Sequence, residues 1–231
     1  MKLKILTLVS AIGMMVSVLA IPVKADGSFA LGVIGNMATF DISGSERESG
    51  EGGKRTTEGK HSVDVDFASI FVEGTVRSDS LGLTLGAEWV PGDAELGAKS
   101  RTDSNDENSG GNDGTYTAKA EISNHMSVYV EPTLYYGNFG VYGKAGAARV
   151  NVNTLESIAL GTDSSVYGDE DTTGFLRGVG LRATFGHILI KTEYLKTNYS
   201  KVKFTSNSGN KNVITATPES ETVRVAIGFQ F

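Results

Sequence analysis

Apolar and polar side chains alternate with a period of two along most of this chain, and the alternation returns in one stretch after another. In Leu81-Gly82-Leu83-Thr84-Leu85-Gly86-Ala87-Glu88-Trp89, one parity is Leu, Leu, Leu, Ala, Trp and the other is Gly, Thr, Gly, Glu. Successive side chains of a strand point to opposite faces, so such a segment has one greasy face and one small or polar face. The longest case runs from Tyr116 to Tyr136: even positions include Ala118, Ala120, Ile122, Met126, Val128, Val130 and Leu134, and odd ones Lys119, Glu121, Ser123, Ser127, Glu131 and Thr133. Phe29 to Phe40, Val63 to Val76, Phe139 to Val152, Phe175 to Phe185, Ile188 to Tyr199 and Thr222 to Phe231 repeat the pattern less cleanly. Together they predict eight strands. The phase stays open between Ala145 and Val152, where a bulge would shift it, and near Arg177.

The connections fall into two alternating classes. Short polar turns lie at Arg77 to Ser80, Gly137-Asn138 and Gly186-His187, and long polar loops at roughly Ser43 to Ser62, Pro91 to Gly114, Asn153 to Thr172 and Asn198 to Ser220. In an up-and-down arrangement all short turns then sit at one end and all long loops at the other, which is the asymmetry of an outer-membrane barrel. Asn207-Ser208-Gly209-Asn210 reads as the tip of a hairpin that extends the last two strands, since a ninth and tenth membrane strand would need another short turn between alternating runs. A strand protein in hydrocarbon must close on itself, because every backbone polar group has to be paired internally. A soluble barrel would bury its apolar parity, but here the opposite parity carries charge or Gly in almost every strand, and a soluble core does not hold so many charges. The predicted fold is therefore all-β: an eight-stranded antiparallel up-and-down transmembrane barrel, apolar side out, with short periplasmic turns and four long extracellular loops.

Aromatic residues group at two levels. Tyr136, Phe139, Phe185, Phe229 and Phe231 lie near the short-turn end, and Trp89, Tyr116, Tyr194 and Tyr199 near the loop end, as two interfacial girdles require. On the polar parity, Glu88, Glu131, Lys144, Arg182, Lys191, Glu193 and Arg224 fall in a layer roughly 10 to 23 Å above the short turns at ~3.3 Å per residue. Eight strands enclose only enough room for side chains, so this layer of three acids and four bases is read as a paired plug. The alternative is a gate whose ion pairs exchange partners to pass small solutes.

The first 25 residues differ from the rest. Lys2 and Lys4 precede an apolar stretch from Ile5 to Ile21, and Val23-Lys24-Ala25 ends it with small residues, so Met1 to Ala25 reads as an export signal cleaved before Asp26. Residues 26–231 then form one barrel domain. Cleavage leaves 18 basic against 27 acidic residues, a net charge of -9. That acidity argues against nucleic acid as a partner. With no Cys, the 231-residue chain has no disulfide framework, no thiolate metal site and no lipoprotein anchor, while 29 Gly suit close strand packing.

Little in the sequence points to catalysis. Ser127 and His125 lie two apart on one strand, but on the lumen parity, out of reach of a lipid acyl chain. The segment Asp103-Ser104-Asn105-Asp106-Glu107-Asn108 suggests calcium, yet Asn108 and Gly114 stand where an EF-hand needs Gly and Glu. No catalytic residue, metal site or cofactor is assigned, and the chain is read as not an enzyme.

The last strand ends Arg224-Val225-Ala226-Ile227-Gly228-Phe229-Gln230-Phe231, a polar residue, a small residue, then alternating hydrophobics up to a terminal aromatic. This resembles the C-terminal assembly signal of bacterial outer-membrane proteins, with Ala226 where Gly is usual. With Val130-Glu131-Pro132, Tyr142-Gly143-Lys144-Ala145-Gly146, Val179-Gly180-Leu181-Arg182 and Glu193-Tyr194, the mature chain resembles the small eight-stranded barrel family that includes the OmpA membrane domain, OmpX and the opacity proteins. The resemblance implies a Gram-negative outer-membrane location, export through the inner membrane, and recognition by the barrel-assembly machinery through Arg224, Ala226, Phe229 and Phe231. It also implies contact with outer-membrane lipid and lipopolysaccharide, a monomer, and no appended periplasmic domain. The expected function is non-enzymatic: envelope integrity and surface contact or adhesion through exposed loops. A narrow porin is the alternative, and a lipid A-modifying enzyme a more distant one.

Overall fold

The computed structural model describes residues 26–50, 53–103, 114–157, 167–206 and 212–231. The alternating segments form ten antiparallel strands: β1 (Asp26–Gly50), β2 (Gly53–Ser78), β3 (Leu81–Trp89), β4 (Ala94–Asp103), β5 (Gly114–Tyr136), β6 (Phe139–Ser157), β7 (Glu170–Phe185), β8 (Ile188–Tyr199), β9 (Val202–Thr205) and β10 (Val213–Gln230). Both β3 and β4 pair with β5, and both β8 and β9 pair with β10. Each of these couples is one interrupted stave, so the ring has the expected eight, and β1 pairs with β10 to close it.

The pairing register fixes the tilt. From Ile188, partners run through Phe229, Leu31, Val72, Ala87, Val128, Ala147 and Phe175 back to β8 at Asn198, ten residues above the start. Ten rises of ~3.3 Å against eight strand spacings of ~4.8 Å give a tilt of about 40°, within the range of closed barrels. The short turns stand where the sequence places them. Gly137 and Gly186 both have φ 60°, the left-handed geometry that the first central position of a two-residue type II′ hairpin turn demands.

The long polar segments differ from the expectation of loops. Antiparallel pairing of β1 with β2 continues from Asp26–Arg77 up to Gly50–Gly53, so Ser43 to Ser62 is a hairpin projecting above the barrel. Likewise β4 occupies much of the expected Pro91 to Gly114 loop, β6 pairs with β5 up to Ser157, and β9 extends the last hairpin as predicted. The physical reason is that the alternation goes on while its meaning inverts. On β2, Ile70 faces outward at the lower level, whereas above it Val63, Val65 and Phe67 pack inward and Asp64 and Asp66 are exposed. A strand greasy outside and polar inside becomes polar outside and greasy inside, which read residue by residue looks like a loop.

A bulge on β5 produces the same inversion abruptly. Ser123 pairs with Asn151 and Met126 with Arg149, so Asn124 and His125 oppose Val150 alone, and Asn124 takes φ 51°. Below the bulge Val128 and Leu134 face outward; above it Ile122 packs among interior apolar residues and Glu121 accepts a hydrogen bond from Asn153. Tyr116 to Tyr136 therefore lacks the single continuous polar face expected of it, and the irregularity foreseen within Ala145 to Val152 sits on its partner strand.

The interior has three levels. An apolar cluster of Ala38, Phe40, Tyr129, Ala148, Val150, Leu176 and Tyr199 fills the upper part, charged side chains fill the middle, and a polar cavity lies beneath them near the short turns.

Candidate functional site

All seven predicted interior charges, Glu88, Glu131, Lys144, Arg182, Lys191, Glu193 and Arg224, are buried inside the barrel and meet there. The structure adds an eighth, Glu73 of β2, which is 0% exposed. The layer thus holds four carboxylates and four cations, and its formal charge is zero. Seven of the eight staves contribute a charge, and β1 contributes the buried amide of Asn36.

These groups form one alternating lattice. Arg224 lies 2.8 Å from Glu88 and also bonds Glu193. Glu193 takes Lys144 at 3.1 Å, Lys144 takes Glu131 at 3.0 Å, and Glu131 takes Lys191 at 2.9 Å. Lys191 continues to Glu73 at 2.8 Å, and Glu73 to Arg182 at 3.0 Å. Neutral donors and acceptors join the lattice at several points. Tyr142 donates to Glu193 at 2.6 Å, Ser69 to Glu88 at 2.6 Å, and Arg182 to the Thr84 hydroxyl at 2.9 Å. The Lys144 ammonium also stands 3.5 Å from the Tyr129 ring centroid. Buried charges are tolerated when each is paired and hydrogen-bonded, and every member of this layer has a carboxylate or a cation beside it.

Aromatic rings fill the space between the charges, and glycines make room for them. A Cβ at Gly86 would lie 2.2 Å from the Tyr129 ring, and one at Gly180 would lie 2.4 Å from that of Tyr142. Phe71 likewise rests over Gly32 and Gly228. In a narrow barrel the inward Gly positions are sockets for rings from neighbouring staves.

Most of the aromatic residues predicted for the girdles are exposed on the outer face. Tyr136, Phe139 and Phe185 project outward at the lower rim, Phe229 and Phe231 beside them, and Trp89 and Tyr194 at the upper level. Tyr199 is a correction: it is only 7% exposed and belongs to the upper interior cluster. Its odd number puts it on the parity of Lys191 and Glu193, so it cannot share the outer face with Tyr194. The side chain of Tyr116 lies outside the described residues, as do Met1 to Ala25 and the Ser104 to Asn108 part of the calcium-like segment.

Ser127 is buried in the lumen, and His125 directs Nε2 to the Tyr199 hydroxyl at 3.2 Å. That contact assigns His125 a partner other than Ser127. Among the described residues no cluster of His, Asp and Glu is arranged to hold a metal ion.

What the lattice can do is obstruct. Below it, a cavity of about 320 Å³ ends against Arg182; above it, the space beside Glu88 and Arg224 shrinks to about 50 Å³ under the apolar cluster.

No family model matches the chain, and no curated protein does. Among solved structures it is similar to Ail, the attachment invasion locus protein of Yersinia pestis, at 12% identity, covering 90% of this chain and 100% of that one with a TM-score of 0.44. Neisserial surface protein A is 12% identical, covering 86% of this chain and 99% of that one with a TM-score of 0.31. The translocator domain of the autotransporter NalP from Neisseria meningitidis is 10% identical, covering 99% and 97% with a TM-score of 0.33. These superpositions are loose, and the closed barrel stands on the strand pairing of the chain itself.

Proposed function

We propose that this chain is an outer-membrane barrel with a sealed lumen, acting without catalysis as an envelope component whose projecting hairpins meet the cell exterior. The observation that carries the reading is the outer surface. Leu31, Val33, Met37, Leu83, Val128, Leu134, Val141, Phe175, Val179, Leu181, Ile190, Val225 and Ile227 all face outward and exposed, while eight charged side chains are buried within. Exposed apolar residues in a continuous belt around every stave are costly in water and favourable in lipid. Above the belt the outer face turns polar, with Thr39 donating to Asp64 at 2.7 Å and Lys196 beside Glu219 and Glu221 at 3.1 and 3.3 Å. That boundary suits the water side of a bilayer.

The neutral lattice supports a sealed lumen over a narrow porin, since opening a path would separate paired charges in a dry interior. Export with removal of Met1 to Ala25 and assembly through the terminal Phe231 belong to the same reading. Planar-bilayer recording of the refolded barrel tests it: no steady conductance is expected, and a steady ohmic channel from wild-type protein would establish the porin instead. Unchanged lipid A profiles in cells overexpressing the chain are expected alongside.

A further inference from the structure

Above the closed ring the projecting hairpins leave strand edges, and the chain protects them unequally. β4 pairs with β5 through a bulge between Glu95 and Gly97, which breaks the regularity of its edge. β9 is only four residues long. The top of β6 is covered, since Thr154 donates through its N–H to Asp169 Oδ1 at 3.2 Å and through its hydroxyl to the Tyr167 carbonyl at 2.8 Å.

β2 has no such device. Its lower end pairs with β3 from Ile70 to Ser78, but from Gly53 to Ser69 its one partner among the described residues is β1. The β1–β2 register runs over that stretch without a shift, and the stretch contains no Pro. At ~3.3 Å per residue this is about 55 Å of regular edge, in which every second residue points its N–H and C=O away from β1. A long regular edge of this kind is a template for another strand.

The two faces of the edge define what that strand must carry. On the inner face Val63, Val65 and Phe67 are half-buried, packed against the upper apolar cluster. On the outer face Asp64 and Asp66 are exposed, and neither has a cationic partner among the described residues; Asp64 accepts from the Thr39 hydroxyl at 2.7 Å. The exposed Glu58 and Lys60 above them carry opposite charges, so the local excess is negative and sits beside the two aspartates.

We propose that the β2 edge from Lys60 to Phe67 docks an extended segment of an external protein by strand addition, with apolar side chains on the inner face alternating with basic ones on the outer face. The proposal rests on the reading that the hairpins stand in water outside the cell, and it names the chemistry of what they meet. An acidic segment would set like charges opposite Asp64 and Asp66. A second copy of the chain fits poorly, because two barrels related by a two-fold along the membrane normal run their β2 strands the same way with opposite tilts, and the edges cross instead of forming a ladder.

The test follows amide hydrogen exchange in the full ¹⁵N-labelled barrel refolded in micelles, with a short peptide of alternating Lys and Val as the probe. Saturable slowing of exchange at alternate amides between Lys60 and Phe67 is expected. The same peptide N-methylated throughout keeps its side chains but has no backbone donors, and it is expected to give no protection, as is a peptide of alternating Glu and Val. Asp66→Lys, on the exposed outer face, is expected to weaken the apparent Kd roughly fivefold, the scale of turning one cross-strand charge pair from attractive to repulsive. Absence of protection by the Lys–Val peptide overturns the proposal, as does equal protection by the N-methylated or acidic peptide, or wild-type affinity in a folded Asp66→Lys barrel. Protection that appears without peptide and grows with barrel concentration overturns it in favour of a second copy. Failure here leaves the bilayer-conductance test of the sealed lumen untouched, and a conducting barrel would leave the exchange result standing.

Discussion

Lys191 on β8 places its Nζ 2.8 Å from a carboxylate oxygen of Glu73, which stands three staves away on β2, beyond β10 and β1. The same ammonium lies 2.9 Å from Glu131 on β5. One cation thus ties together staves that share no backbone hydrogen bonds, and it does so where neither carboxylate can reach water.

Removing that cation leaves two buried carboxylates short of their nearest amine. Lys191→Met is expected to destabilise the barrel by about 3–5 kcal/mol, the usual cost of breaking a buried pair. The double variant Lys191→Met with Glu73→Gln is expected to recover part of the loss, because it restores neutrality. Urea unfolding in detergent, read by a double-mutant cycle, measures the coupling, and simple additivity of the two changes would contradict a shared lattice.

Arg224 joins Glu88 to Glu193, whereas Arg47 sits exposed on a projecting hairpin. Arg224→Ala is therefore expected to lower the unfolding midpoint well beyond Arg47→Ala, whose effect should stay within about 0.5 kcal/mol. Equal shifts in the two variants would remove the plug from the account of stability.

The ring sockets are tested by adding a single methyl group. Gly86→Ala puts a Cβ against the Tyr129 ring and is expected to cost about 1–3 kcal/mol through overpacking. Gly143→Ala meets nothing within 4 Å and should be close to neutral. Thermal unfolding of both variants in the same detergent compares them directly.

Orientation in lipid can be read from depth. Val179 is 62% exposed on the outer belt, so Val179→Arg should destabilise the vesicle-inserted barrel by about 2–4 kcal/mol, against about 0–1 for Ser43→Arg on the projecting hairpin. If arginine were tolerated equally at both positions, the outer surface would not be in hydrocarbon.

The β1–β10 seam that closes the ring ends at Phe231. The Phe231 backbone N–H donates to the Phe29 carbonyl at 2.8 Å and its carbonyl accepts from Phe29 N–H at 3.3 Å, while its ring lies 5.2 Å from that of Phe229. Deleting Phe231 removes these two bonds from the end of the seam as well as the terminal aromatic of the proposed assembly signal. The expected outcome is less folded barrel in the outer-membrane fraction, measured by heat-modifiable electrophoretic mobility, with Phe231→Tyr close to wild type.

The amino-acid sequence by itself determined the eight staves, the position of each short turn and seven of the eight buried charges. Within the belt one parity is consistently apolar, and a period of two assigns every side chain once a single phase is known. Glu73 escaped because β2 offers two apolar parities, Ile70, Val72 and Val76 on one and Val63, Val65, Phe67 and Phe71 on the other, so no polar face marks it. The placement of Tyr199 could have been found by counting from Lys191. The inverted alternation above the belt, the bulge at Asn124 and the partners of each charge were decided only by tertiary structure. Phase along a strand depends on which of its faces is enclosed, and the outer face changes from apolar to polar part-way up. Ion pairing depends on which staves face one another across the closed ring, a distance that the ten-residue stagger sets and no local pattern encodes.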